Sequence, residues 1–149
     1  MIRSLLAIVI VIMMLIKCST DKTVTQVYST LGCSKIFKPI NFDFLKDSSK
    51  LYDKIFVEIS GYYCNNNFEQ SAISNVKCSS SIQGMVWVDF ASELVDVIHN
   101  RLEEKEKDQF LLQLNGRKIR VRGYLYANRH GHLSQYLVSL EHICYIEIF

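Results

Sequence analysis

Two stretches of the sequence repeat one pattern. Asp53-Lys54 to Gly61-Tyr62 and Asn115-Gly116 to Gly123-Tyr124 align without gaps. In each, a turn dipeptide precedes an alternating run, and a Gly-Tyr pair begins eight residues after the turn does. In the first, Ile55, Val57 and Ile59 alternate with Phe56, Glu58 and Ser60, the period of a strand buried on one face. A glycine inside each run marks a bulge or sharp bend. Two neighbouring strands that coil at a glycine suit a small closed barrel, in which they would be strands 1 and 4.

The remaining elements fit around that pair. Residues 40–50 read as a short helix or turn leading into the domain, and 68–75 as a weak second strand after the polar turn 65–69. Residues 79–81 are three serines, a loop. GMVWVDF, residues 84–90, is a third strand, with Val86, Val88 and Phe90 on one face and Met85, Trp87 and Asp89 on the other. Asp89 or Ser92 can cap the helix that follows, whose apolar stripe is Leu94, Val95, Ile98 and Leu102. Residues 101–109 are its solvated end; Phe110, Leu111, Leu112 and Leu114 return to the core, where the helix either continues or restarts, and Asn115-Gly116 stops it. Residues 117–127 form the fourth strand, and 133–148 a long last strand or a broken pair. The order is strand, strand, strand, helix, strand, strand. It predicts a mainly β fold: an OB-fold-like five-stranded Greek-key barrel with one helix between strands 3 and 4, preceded by an N-terminal signal segment.

LYDKIFVEISGYY, GMVWVDF, LNGRKIRVRGYLYA and GHLSQYLVSLEHICYIE also carry a resemblance. Over roughly residues 40–148 the chain resembles small exported bacterial OB-fold proteins, many of them predicted lipoproteins. These show a turn, strand and Gly-aromatic segment twice, and a Gly-His near the start of the last strand. Asp53-Lys54 departs from the Asp-Gly-Lys often found there. The resemblance implies a fold and a compartment; it implies no reaction.

The amino terminus points to the same compartment. Arg3 gives a positive start, and Ser4 to Ile16 is thirteen residues with only Ser4 polar. As a helix this run spans about 20 Å, short of the roughly 30 Å of a bilayer core. It reads as the h-region of an export signal, with an uncleaved anchor as the other reading. Leu15-Ile16-Lys17-Cys18 resembles a lipobox, in which Cys18 becomes lipidated, although Lys17 stands where a small residue is usual. Cleavage after Cys18 or Thr20 stays open beside it. The expected organisation is a signal peptide or lipoprotein signal over 1–18, a poorly defined segment over 19–39 and the barrel domain over 40–149. The protein is then exported, periplasmic or extracellular, and meets a membrane only through the signal segment or a lipid anchor.

The 17 Lys and Arg include Arg3 and Lys17, so the part after residue 18 keeps 15 against 15 Asp and Glu. A neutral domain argues against nucleic-acid binding, which needs uncompensated cations. Beyond Cys18 four cysteines remain, an even number that reads as two disulfides in an exported chain. Of three possible pairings we favour Cys64 with Cys78 and Cys33 with Cys144; free buried thiols are the other reading. No two cysteines lie two to four residues apart, so the usual zinc spacing is missing.

Three groups are candidate sites. Trp87, the only Trp, would lie on the outer face of strand 3, where OB-folds bind oligonucleotides and oligosaccharides, as a stacking platform; otherwise the barrel or another segment covers it. Arg120 and Arg122 project to one face of strand 4 and suit an anionic ligand, unless Glu58 on the neighbouring strand balances them. His130 and His132 can face one side and hold a metal, with His142 as a third partner, unless the Gly-His only shapes a turn. No nucleophile elbow, phosphate loop, paired-His zinc helix or dinucleotide fingerprint is present. The expectation is a non-catalytic binding or envelope-interaction module, without a cofactor, taking a protein or glycan of the cell envelope through Trp87, Arg120 and Arg122. The alternatives are a small secreted metal-dependent hydrolase, nuclease-like, and an inhibitor or immunity-type protein.

Overall fold

The computed structural model describes residues 25–149 apart from 66–70, 79–81, 83 and 108. The signal segment 1–18 with Cys18, and the serine loop 79–81, lie outside the described residues. The strands are β1 (Gln26–Ser29), β2 (Lys38–Ile40), β3 (Phe56–Asn65), β4 (Ser71–Ser74), β5 (Val86–Phe90), β6 (Lys118–Tyr126) and β7 (Val138–Ile148). The α-helices are α1 (Phe42–Ser48), α2 (Ser92–His99), α3 (Glu104–Lys107) and α4 (Phe110–Gln113).

Five strands close on themselves. β3 pairs with β4, β4 with β5, β5 with β7, β7 with β6, and β6 returns to β3. Only the β5–β7 contact among these is parallel. The chain is therefore mainly β, a closed five-stranded barrel with a helical stretch between its third and fourth strands. Alternation puts Val57, Ile59, Val86, Val88, Ile119, Val121, Leu125, Leu140, Ile146 and Ile148 in the barrel core, all fully or nearly fully buried. Each such side chain contributes roughly 1.5–3 kcal/mol of burial.

The repeated segments are neighbours, as their pattern predicts. β3 and β6 pair antiparallel with Val57 opposite Gly123 and Gly61 opposite Ile119. The likeness extends to the turns that start them. The Lys54 amide donates to the Leu125 carbonyl at 2.6 Å, and the Gly116 amide to the Tyr63 carbonyl at 2.8 Å. Asp53 Oδ1 accepts from the Ala127 amide at 2.9 Å, and Asn115 Oδ1 from the Asn65 amide at 3.0 Å. A local two-fold axis thus relates the two segments. Each turn side chain ties off the far end of the other strand, where a ladder otherwise leaves donors unpaired. Both glycines mark close approach: a Cβ on Gly123 would stand 2.7 Å from the Glu141 carbonyl, and one on Gly61 2.5 Å from that of Ser74.

The amino-terminal part differs from the sequence reading. Residues 26–29 and 38–40, within or at the edge of the segment left undefined, are strands of the same sheet. β1 pairs antiparallel with the end of β7, and β2 parallel with β3. Both are short, and their apolar positions are too few for alternation to show. α1 forms where a helix or turn is expected, with the Asn41 side chain accepting from the Asp43 amide. At α2 neither expected cap acts. Ala91 holds the N-cap position, and Ser92 is already helical with its hydroxyl on Glu93. Leu94 and Ile98 of its stripe are buried, with Leu102 packed beside them. The helix does not continue but restarts as α3 and α4. The last strand begins at Val138 and stays whole past a kink in which His142 has φ 54°.

Both favoured cysteine pairs sit at disulfide distance. Cys33 and Cys144 have Cα atoms 5.4 Å apart and tie the β1–β2 connection to β7. Cys64 and Cys78, also 5.4 Å apart, close the β4 connection. Such pairs are compatible with an oxidising compartment. Among the described residues no helix is long and apolar enough to cross a membrane.

Candidate functional site

Trp87 lies on the outer face of β5, since Val86 and Val88 on either side of it enter the core. It is half-buried rather than exposed. The cover comes from the β6–β7 connection. Gly131 rests on the indole, so close that a Cβ there would stand 2.6 Å from Trp87 Cγ. Tyr136 meets the ring edge-on with centroids 5.1 Å apart, an arrangement that suits the aromatic quadrupoles. Cys64, Ala72 and Met85 complete a small second core with Tyr136 on this outer face. Burial raises the Tyr136 phenol above its usual pKa.

The connection is held in place by its own polar groups. His130 Nδ1 lies 3.1 Å from the Tyr136 carbonyl and 3.0 Å from that of Leu137. Carbonyls only accept, so Nδ1 carries the proton and donates. The Gly131 amide donates to Ser139 Oγ at 3.1 Å. Arg129 stacks on Tyr126 at 4.2 Å and pairs with Glu141. Beside Trp87 these residues leave a concavity of about 470 Å³, rimmed by Asn128, Arg129, His132, Ser134 and Glu141. A second, of about 340 Å³, lies on the other side of Trp87 towards Asp89, Val95 and Leu111.

Arg120 and Arg122 do project together from β6, but onto a different part of the barrel. Arg122 stands opposite Tyr145 on β7, whereas Trp87 stands opposite Ser139. Ser139 and Tyr145 are six residue steps apart along β7, at most about 20 Å. Both arginines are already engaged. Arg122 Nε reaches Glu58 at 2.8 Å, and its guanidinium lies between Phe37 at 3.8 Å and Tyr145 at 4.1 Å. Arg120 reaches Glu147 at 2.7 Å and Glu58 at 3.7 Å, and covers Phe149. Burial, helped by Glu147, raises the Tyr145 phenol's pKa, against the pull of Arg122. The balanced-face reading with Glu58 describes this cluster.

The histidines do not converge with other donors. His130 is committed through Nδ1 to the backbone, and His132 is exposed at the start of a 3-10 turn, His132–Ser134. Among the described residues no three His, Cys, Asp or Glu side chains come together as metal ligands do.

Sequence reasoning missed Tyr136, Arg129, Glu141 and Ser139 as the surroundings of Trp87. A lone aromatic in the polar run 128–136 is the one signal that pointed to Tyr136. Glu147 was legible by parity, being two residues from Tyr145 and directly across from Arg120. No protein-family model matches this chain, and comparison with curated proteins and with solved structures found no match.

Proposed function

We propose that this chain is an exported, non-catalytic binding module on an OB-fold barrel, resembling the small exported bacterial OB-fold proteins. Its ligand surface is the concavity beside Trp87. The circular strand order β3-β4-β5-β7-β6, with a helical stretch after β5, supports the OB-fold reading. In that fold the face of the second and third strands and the loop before the last strand take the ligand. The single observation that carries the proposal is the meeting of those parts here. The β6–β7 connection folds over the only Trp and leaves a concavity with hydrogen-bonding groups on its rim. A protein or glycan of the cell envelope suits a rim of amide, hydroxyl, imidazole and paired charge. The two cysteine pairs support export, with residues 1–18 as a signal or lipoprotein signal.

Arg120 and Arg122 serve this module as a structural cluster. Their pairing with Glu58 and Glu147 engages the two arginines that the nuclease-like alternative would use. The test uses the intrinsic fluorescence of Trp87 in the full chain. Soluble peptidoglycan fragments, titrated in, should shift the emission saturably, and Asn128→Ala with His132→Ala should weaken binding at unchanged stability. No shift and no calorimetric heat would overturn the glycan reading. A single stable protein partner in an envelope cross-link, lost in the double variant, would leave the site standing with an inhibitor-type role.

A further inference from the structure

We infer that the strap formed by residues 31–54 is a membrane-facing surface that lies on anionic lipid. Nine large hydrophobic side chains are exposed among the described residues, and four of them fall between residues 31 and 51. Leu31 is 109% exposed, Ile36 87%, Phe44 57% and Leu51 74%. Single exposed apolar side chains are ordinary, but a concentration of them marks an interaction surface.

The local structure turns these side chains outward. Phe37 faces the barrel, 3.8 Å from the Arg122 guanidinium, so its neighbour Ile36 points away. Phe44 on α1 and Leu51 on the 3-10 turn Ser49–Tyr52 are both exposed, while Phe42 and Leu45 of α1 are buried. Lys38 lies 4.6 Å from the Tyr52 ring, which brings the start of β2 beside the end of that run. Ile36 and Leu51 flank that contact along the chain, Phe44 is exposed on α1, and Leu31 follows Thr30, whose amide donates to the Cys144 carbonyl of β7.

The charge around them selects the occupant. Five exposed lysines lie between Lys35 and Lys54, against Asp43, Asp47 and Asp53. None of these lysines is in an ion pair among the described residues, and Asp53 is engaged by the Ala127 amide. The strap is thus net positive in a domain whose charges sum to zero. Apolar side chains amid exposed lysines are the composition of a surface that rests in lipid headgroups. The chain also delivers the strap to that place. Its apolar run ends at Ile16, and residues 17–25 can reach at most about 30 Å before β1 enters the sheet. This inference rests on the lipoprotein-signal reading, in which a lipid on Cys18 holds the chain at a membrane.

The test uses the full chain on vesicles of brominated phosphatidylcholine, with and without phosphatidylglycerol. Ile36→Trp and Leu51→Trp are made in a Trp87→Phe background, which keeps a ring against Tyr136, with Leu133→Trp as the control. The two strap tryptophans should be quenched several-fold more than the control, and more strongly with phosphatidylglycerol. Equal quenching in strap and control, or indifference to phosphatidylglycerol, would overturn the inference. Protection from aqueous iodide without quenching by bromolipid would place a second copy of the chain there and overturn it too. A chain that fails to float with vesicles removes the anchor reading together with the strap; a floating chain with unquenched strap removes the strap alone. On the unaltered chain, acetylation of lysines 35–54 should slow on anionic vesicles while Lys77 keeps its rate. Equal slowing at Lys77 would refute the orientation.

Discussion

Lys54 and Gly116 occupy equivalent positions in the two turns, and both take a positive φ, 59° and 78°. A residue with a Cβ pays about 1–2 kcal/mol for that conformation. Glycine does not, but it loses about 0.5–1 kcal/mol more backbone entropy on folding. The Lys54 side chain is exposed and forms no ion pair among the described residues, so removing it forfeits little. Lys54→Gly should therefore stabilise the domain by about 0.5–1 kcal/mol. At Gly116 a Cβ would meet nothing within 4 Å, so Gly116→Ala isolates the conformational cost without a clash. It should destabilise by about 1 kcal/mol. Urea unfolding with disulfides intact reads both as midpoint shifts at constant slope. The Tm should rise in one variant and fall in the other by about 3–5 °C per kcal/mol. Opposite signs at two related positions are the core of the reasoning. A neutral or destabilising Lys54→Gly, or a neutral Gly116→Ala, would refute it.

Three further outcomes follow from the same structure. The Cys33–Cys144 pair closes a sequence separation of 111 against 14 for Cys64–Cys78. Replacing the first pair by serines should cost about 2 kcal/mol more than replacing the second, on the chain-entropy model, as compared by urea midpoints. Equal costs would show that native-state packing, not loop length, dominates. Tyr63, Tyr136 and Tyr145 have phenols raised chiefly by burial, Tyr63 despite hydrogen bonds to Ser71 and Asn65. A raised folded pKa means the unfolded chain loses these protons first. Their contribution is whole below the usual phenol value of about 10 and is lost as pH rises through the folded values. Phenolate absorbance should accordingly show these three tyrosines lagging in the folded chain and not after unfolding. Finally, Gly131→Ala puts a methyl 2.6 Å from the Trp87 ring and should cost about 1–3 kcal/mol while altering Trp87 emission. Unchanged emission at unchanged stability would mean that the β6–β7 connection does not bear on Trp87.

The sequence alone determined β3, β5, β6 and β7 of the barrel, because each alternates apolar and polar residues over enough positions to declare a buried face, whereas the four-residue β4 gave only a weak signal. It determined the kinship of β3 and β6 as well, since a turn, a spacing and a glycine recur in both. Even number indicated two cysteine pairs and placement favoured the pairing found, out of three possible ones. Other features were legible only as alternatives. Whether Glu58 balances Arg122 depends on register across two strands distant in sequence, which closing the barrel sets. Whether Trp87 is bare or covered depends on where the loop before the last strand lies, and no periodicity governs a loop. β1 and β2 are four and three residues long, too short for a pattern to rise above chance; what makes them strands is the free edges that the barrel offers them. Local patterning decides which segments bury a face, and this information is written within a few residues. The tertiary structure decides which buried faces and charges meet, because those contacts join residues that only the closed sheet brings together. It therefore separated Trp87 from Arg120 and Arg122, whose partners on β7 lie eight and six residue steps from that of Trp87.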